Sequence, residues 1–200
     1  MYVGAHIANA AKEVTFDNFM EFINLTENQD KTFELIGGYL VAMAGNATSN
    51  HQSICSDIVR EVGVYLKGKH CKVFQDLNVY LFKEDIGKCK NVFQPDIMVG
   101  CDRSKMTNRG YEGSPEWVIE VISKSTARND YFTKLNYYME YGVAEYWIVD
   151  QFANQIVVYL NSDEGSPLVQ RYTFSDSVKV GQFDDLYIDF NEVLLSLPNR

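Results

Sequence analysis

A carboxylate stands in the middle of an otherwise apolar run, at Glu120 of WVIEVI (residues 117–122). A short run that is apolar on both faces marks a central strand. An ionised glutamate inside such a strand is costly unless it is paired or ligates a metal ion. The chain must therefore turn Glu120 to a solvent-facing sheet edge, give it a buried Lys or Arg, or use it to hold a cation. Alternation along a strand puts Glu120 on the face of Val118 and Ile122.

A second acid has a related setting. Asp96 in QPDIMV follows Pro95 directly and opens an apolar run. Taken alone, an acid after proline is an ordinary turn residue. If the segments 91–99 and 116–123 are neighbouring strands, Asp96 and Glu120 converge, and a divalent ion relieves their mutual repulsion. Oxygen donors of this kind suit Mg²⁺ or Mn²⁺. Asp96 and Glu120 are therefore the expected metal ligands.

The rest of the chain supplies a scaffold for such a site. Apolar spacing at Phe16, Phe19, Met20 and Ile23 predicts a helix over 15–27, with Thr15 or Asp17 as cap. Gly37-Gly38 between FELI and YLVAMA predicts a β-hairpin. Ile54, Ile58, Val62 and Tyr65 predict a long amphipathic helix over 48–68. Strands are expected at 72–82, 91–99, 116–123, 145–150, in QIVVYL and near 168–174. A helix is expected over 127–141, and another short one near the C-terminus. A loop is expected at 102–115. This order predicts an α/β fold of the α+β type, with a central mixed β-sheet flanked by helices and an N-terminal helix and hairpin.

Bulk properties narrow the function classes. With 200 residues, 46% hydrophobic and 14% aromatic, the chain is expected to form one domain over residues 1–200. A formal net charge of -9 argues against a passive nucleic-acid coat, which needs Lys and Arg to meet phosphate. It argues less against a metal-dependent nuclease, where the ion supplies positive charge. Cys55, Cys71, Cys89 and Cys101 lie 16, 18 and 12 residues apart, with no C-x-x-C pair, and are expected as free thiols rather than zinc ligands. The N-terminus lacks a basic-then-apolar leader, and no run of about 18 apolar residues occurs, so the expectation is a cytoplasmic protein with no membrane span. No G-x-S-x-G or phosphate-binding glycine loop is present.

The series FELIGGYLVAM, His51 opening a helix, QPDIMV, SPEWVIEVISKST and NDYFTKLNYYMEYGVAEYWIVD resembles the Uma-two family, restriction-endonuclease-like proteins of the PD-(D/E)XK nuclease superfamily. The resemblance covers residues 14–160, with C-terminal strands and a short helix in 161–200. It implies a restriction-endonuclease-like core and a Mg²⁺- or Mn²⁺-dependent endonuclease acting on DNA. Asp96 matches the Asp of the PD motif and Glu120 the second acid. Glu34 matches an early acid that approaches the same site, although a hairpin-edge acid facing water is the plainer alternative.

One position departs from the superfamily pattern. The strict motif wants Lys two residues after the second acid, and Ile122 stands there. Lys124 and Lys134 are the nearby substitutes. The resemblance favours Lys134, paired with Asp130 in a D-x-x-x-K arrangement, while an exposed i,i+4 ion pair is the alternative. His51 would orient water, contact phosphate or bond Glu34. Ser123, Ser125 and Gln94 are weaker candidates. The missing in-register lysine and the acidic charge also fit a non-catalytic binding or assembly module that keeps the scaffold. Nucleases that cut both strands often act as symmetric dimers, so a homodimer is a further expectation by fold analogy.

Overall fold

Pro95 interrupts what reads as one strand, and this interruption places the site. The structure is a computed structural model and describes residues 13–43, 47–123, 127, 129–162 and 165–197. Within the expected strand 91–99, β5 (Asn91–Phe93) ends before Gln94 and β6 (Ile97–Gly100) begins after Asp96. Proline has no N–H to give a ladder and holds the preceding residue extended. The expected strand 72–82 likewise divides into β3 (Lys72–Gln75) and β4 (Val79–Leu81), with Asp76 at a positive φ of 49° between them. Each break carries the chain from one sheet to another.

The first sheet follows the order β2-β1-β5-β4-β8-β7, with β1 at Phe33–Ile36, β2 at Tyr39–Ala42, β7 at Met106–Thr107 and β8 at Gly110–Glu112. The β1–β2 hairpin forms as expected, with Gly37 and Gly38 at φ 59° and 86°. The expected loop 102–115 instead contains β7 and β8. Turn-forming residues hid them, and Gly110 is needed because a Cβ there would lie 2.2 Å from the Asn78 carbonyl oxygen.

The second sheet follows the order β12-β11-β10-β9-β6-β3. Here β9 is Trp117–Val121, β10 Glu145–Asp150, β11 Gln155–Leu160 and β12 Leu168–Tyr172. β9 and β10 run parallel, β9 and β6 antiparallel, and β9 lies inside the sheet as its apolar pattern requires. Strand alternation divides the core. Trp117, Ile119 and Val121 face a cluster with Ile54, Ile58 and Val62 of α2 (Ser49–Tyr65). Val118 and Ile122 face Tyr138 of α3 (Leu135–Glu140).

α1 (Phe16–Ile23) is capped by Thr15 and α2 by Thr48, whose hydroxyl accepts the His51 N–H at 3.2 Å. The expected helix 127–141 is a π-helical turn, Asn129–Lys134, continuing into α3. At the C-terminal end, β13 (Ser177–Lys179) and β14 (Tyr187–Asp189) pair, and α4 (Phe190–Leu195) follows. Val178, Ile188, Phe190 and Val193 join the α2 cluster.

The cysteine expectation needs correction. Cys71 and Cys101 form a disulfide, while Cys55 and Cys89 are free and buried. The pairing follows from register: Lys72 opposes Gly100, so Cys71 and Cys101 face each other one step beyond. Sequence spacing could not reveal a cross-strand neighbour 30 residues away. No helix among the described residues is long and apolar enough to cross a membrane.

Candidate active site at the sheet break

Glu120 takes the buried-lysine solution. Its Oε1 accepts from Lys134 Nζ at 2.9 Å and from Tyr138 OH at 3.2 Å. Lys134 Nζ also lies 3.0 Å from Glu34 Oε1 and 3.5 Å from Asp130 Oδ1. Glu34, Glu120, Asp130 and Lys134 are each at most 3% exposed, so Asp130 and Lys134 do not form an exposed helix pair, and Glu34 is not a water-facing hairpin acid. β1 holds Glu34 beside the end of β5, where Gln94 donates its backbone N–H to Glu34 Oε1 at 3.1 Å. Gln94 thus acts through its main chain.

The π turn is what brings Asp130 and Lys134 inward. Tyr146 OH donates to the Asp130 carbonyl at 3.0 Å and Tyr131 OH to Asp150 Oδ2 at 3.0 Å, fixing the turn on β10. Wider turns of this kind recur at functional sites because they re-aim side chains. Sequence periodicity placed Lys134 beside the buried stripe, whereas it shares the inward face with Tyr138. Lys124 and Ser125 lie outside the described residues, and Ser123 follows β9.

Asp96 stands next to this cluster and faces another way. The Ile97–Ile119 pairing puts it opposite Glu120 in register. Because the strand has not yet begun, its Oδ2 accepts the Val121 N–H at 2.7 Å and lies 3.3 Å from His51 Nε2. His51 therefore meets Asp96, not Glu34. Its Nδ1 lies 3.8 Å from Cys55 Sγ, one helical turn along α2. Cys55 and Asp76 were missed from sequence. Cys55 has the i+4 spacing from His51 as a faint signal, while Asp76 reaches the site only through the β3–β4 break.

Among the described residues, the electrostatics are those of Lys134 set among Glu34, Glu120 and Asp130. Burial pushes Glu120 well above the ordinary glutamate range; Lys134 offsets this in part, and Asp130, Asp96 and Glu34 add to it. Burial pulls Lys134 down, but Glu120, Glu34 and Asp130 outweigh it and hold its pKa above the usual lysine value. Both directions have one cause, the crowding of buried carboxylates around Lys134. Burial also lowers His51, yet its bond to Asp96 and the Asp96 charge leave it raised overall.

Among the described residues, Glu34 Oε2 is buried with no hydrogen-bond partner. The chain as a whole is similar to known proteins. The Uma2 family, described as "Putative restriction endonuclease", matches residues 19–188. The chain belongs to this family. An uncharacterized protein of Synechocystis sp. is 26% identical over 162 residues, covering 80% of this chain and 82% of that protein. The crystal structure of "a putative nuclease belonging to DUF820" from Anabaena variabilis aligns with a TM-score of 0.73 at 18% identity. It covers 92% of this chain and 99% of that one, and shares its fold.

Proposed function

We propose that this Uma2 protein is a divalent-metal-dependent endonuclease that hydrolyses phosphodiester bonds in DNA. The observation that carries the reading is the buried excess of carboxylate around Lys134, with Asp96 beside it at the sheet break. The donor set fits a hard cation. Among the described residues, Glu34 offers an unpartnered buried oxygen, and Glu34, Glu120 and Asp130 all lie within 3.5 Å of Lys134 Nζ.

Asp96 and Glu120 would hold Mg²⁺ or Mn²⁺, with Glu34 as a further ligand. A divalent ion bound there supplies a water of lowered pKa and polarises a phosphoryl oxygen. Lys134 fixes Glu34 and Glu120 relative to each other and keeps a positive charge beside the reacting phosphate. Tyr138 orients Glu120. His51 orients Asp96, whose side chain is 20% exposed and opens the cluster to solvent.

A second reading has one observation in its favour. Glu34, Glu120 and Lys134 are almost fully buried, as in a scaffold that uses the cluster for assembly without turnover. Calorimetric titration with Mg²⁺ and Mn²⁺, followed by plasmid cleavage, separates the two. Saturable binding and cleavage, both lost in Asp96→Ala, support the nuclease. No binding at millimolar metal in the presence of duplex DNA refutes it, and binding without cleavage favours the scaffold.

A further inference from the structure

We infer that His51, Cys55 and Asp96 form a binding site for a borderline transition ion such as Zn²⁺ or Co²⁺, which shares Asp96 with the carboxylate cluster around Lys134. Cys55 belongs to the α2 cluster against the second sheet, and Asp96 is shared with the carboxylate cluster. The inference does not depend on the nuclease reading.

Geometry carries it. One ligand atom each from His51, Cys55 and Asp96 lies within 4.8 Å of the other two. Bonds of 2.0–2.3 Å to a tetrahedral ion put ligand atoms about 3.3–3.8 Å apart. The His51 Nε2–Asp96 Oδ2 distance is already 3.3 Å, and Cys55 Sγ lies 3.8 Å from His51 Nδ1. One ion uses one ring nitrogen, so loading requires a turn of the imidazole and a closing of the thiol by about an ångström. α2 supplies His51 and Cys55 at i,i+4, which sets two ligands on one helix face.

Asp76 lies beside this cluster. It adopts φ 49°, a left-handed conformation that non-glycine residues seldom take. Its N–H lies 3.4 Å from the Asp96 carbonyl, and its carboxylate is near enough to act on His51 and Cys55. Uncommon backbone beside a ligand cluster is a reasonable basis for a functional hypothesis. His51, Cys55 and Asp96 offer a nitrogen, a sulfur and an oxygen donor. A thiolate and an imidazole favour Zn²⁺ or Co²⁺ over Mg²⁺. Binding replaces the Cys55 thiol proton, which passes to solvent. The same trio does not make a thiol nucleophile, because Cys55 is 2% exposed and burial holds its thiol protonated.

The test is a cobalt(II) chloride titration of the full chain in non-reducing buffer, followed by absorption. The wild type should develop a near-ultraviolet thiolate-to-cobalt charge-transfer band that saturates. Cys55→Ser should lose this band, Cys89→Ser should retain it, and Glu120→Gln should leave it in place. His51→Phe should weaken cobalt binding by about tenfold or more. A wild type saturated with cobalt but lacking the band overturns the inference, whether or not the variants fold. So does a band that survives Cys55→Ser, or one that Glu120→Gln abolishes. A chain that cleaves DNA without the band sinks only this inference. A band without cleavage sinks only the nuclease.

Discussion

Replacing Lys134 with Met tests the central electrostatic argument directly. Methionine keeps a flexible apolar stem of similar length while the charge is lost. Lys134 Nζ stands 2.9 Å from Glu120, 3.0 Å from Glu34 and 3.5 Å from Asp130, all nearly inaccessible to solvent. Removing one partner of a buried ion pair costs about 3–5 kcal/mol, because the remaining charge has no compensation. Against a typical total stability of about 5–15 kcal/mol, that is a large fraction. Urea unfolding in metal-free buffer, followed by fluorescence of the buried Trp117 and Trp147, reads the loss. Adding Glu120→Gln removes one stranded acid, so the double variant should lose less than the sum, by about 0.5–3 kcal/mol. Mg²⁺ should stabilise Lys134→Met more than the wild type, since an ion can supply the missing positive charge. A loss under about 1 kcal/mol, or strict additivity, would mean that Lys134 is not what compensates these acids.

Three further outcomes follow from other parts of the fold. Glu145 accepts from Trp147 Nε1 at 2.6 Å and from the backbone of Gly181 and Gln182 at 3.0 Å each, tying the C-terminal segment to β10. Burial raises its pKa above the ordinary 4.5 despite those donors, so its stabilising contribution is complete below 4.5 and is lost as pH rises through the folded value. The stability of the wild type relative to Glu145→Gln should therefore fall as pH rises above 4.5, and a rise instead contradicts the assignment. The Cys71–Cys101 bridge closes a span of 30 residues, which predicts about 3–4 kcal/mol of stability lost on reduction. Thiol titration of the denatured, non-reduced chain should find two free thiols rather than four. Tyr138→Phe removes a hydrogen bond to Glu120 and should lower stability by about 1.5–3 kcal/mol; an unchanged urea midpoint would show that the hydroxyl contributes nothing.

Local sequence was enough for elements whose pattern is self-contained. The apolar run around Glu120 marked an interior strand because a strand buried on both faces has no polar alternation. Gly37-Gly38 marked the hairpin because its turn needs positive φ. The spacing of Ile54, Ile58, Val62 and Tyr65 marked α2. The same run showed that Glu120 needed a partner, since an unpaired buried carboxylate is costly wherever it sits. The order of short motifs around it was sufficient to name the family.

Tertiary structure decided which partner Glu120 received. Lys134 could be an exposed helix residue or a buried cation with equal local propensity; the π turn and its anchors on β10 chose the second. The breaks at Asp76 and Asp96 were hidden inside apolar segments, because crossing between sheets is a long-range event with no local composition. The Cys71–Cys101 pair depended on the register of β3 against β6. His51 found Asp96 rather than Glu34 because Asp96 precedes its strand and turns toward α2. In each case the sequence set the chemistry available, and contacts between distant segments fixed which groups met.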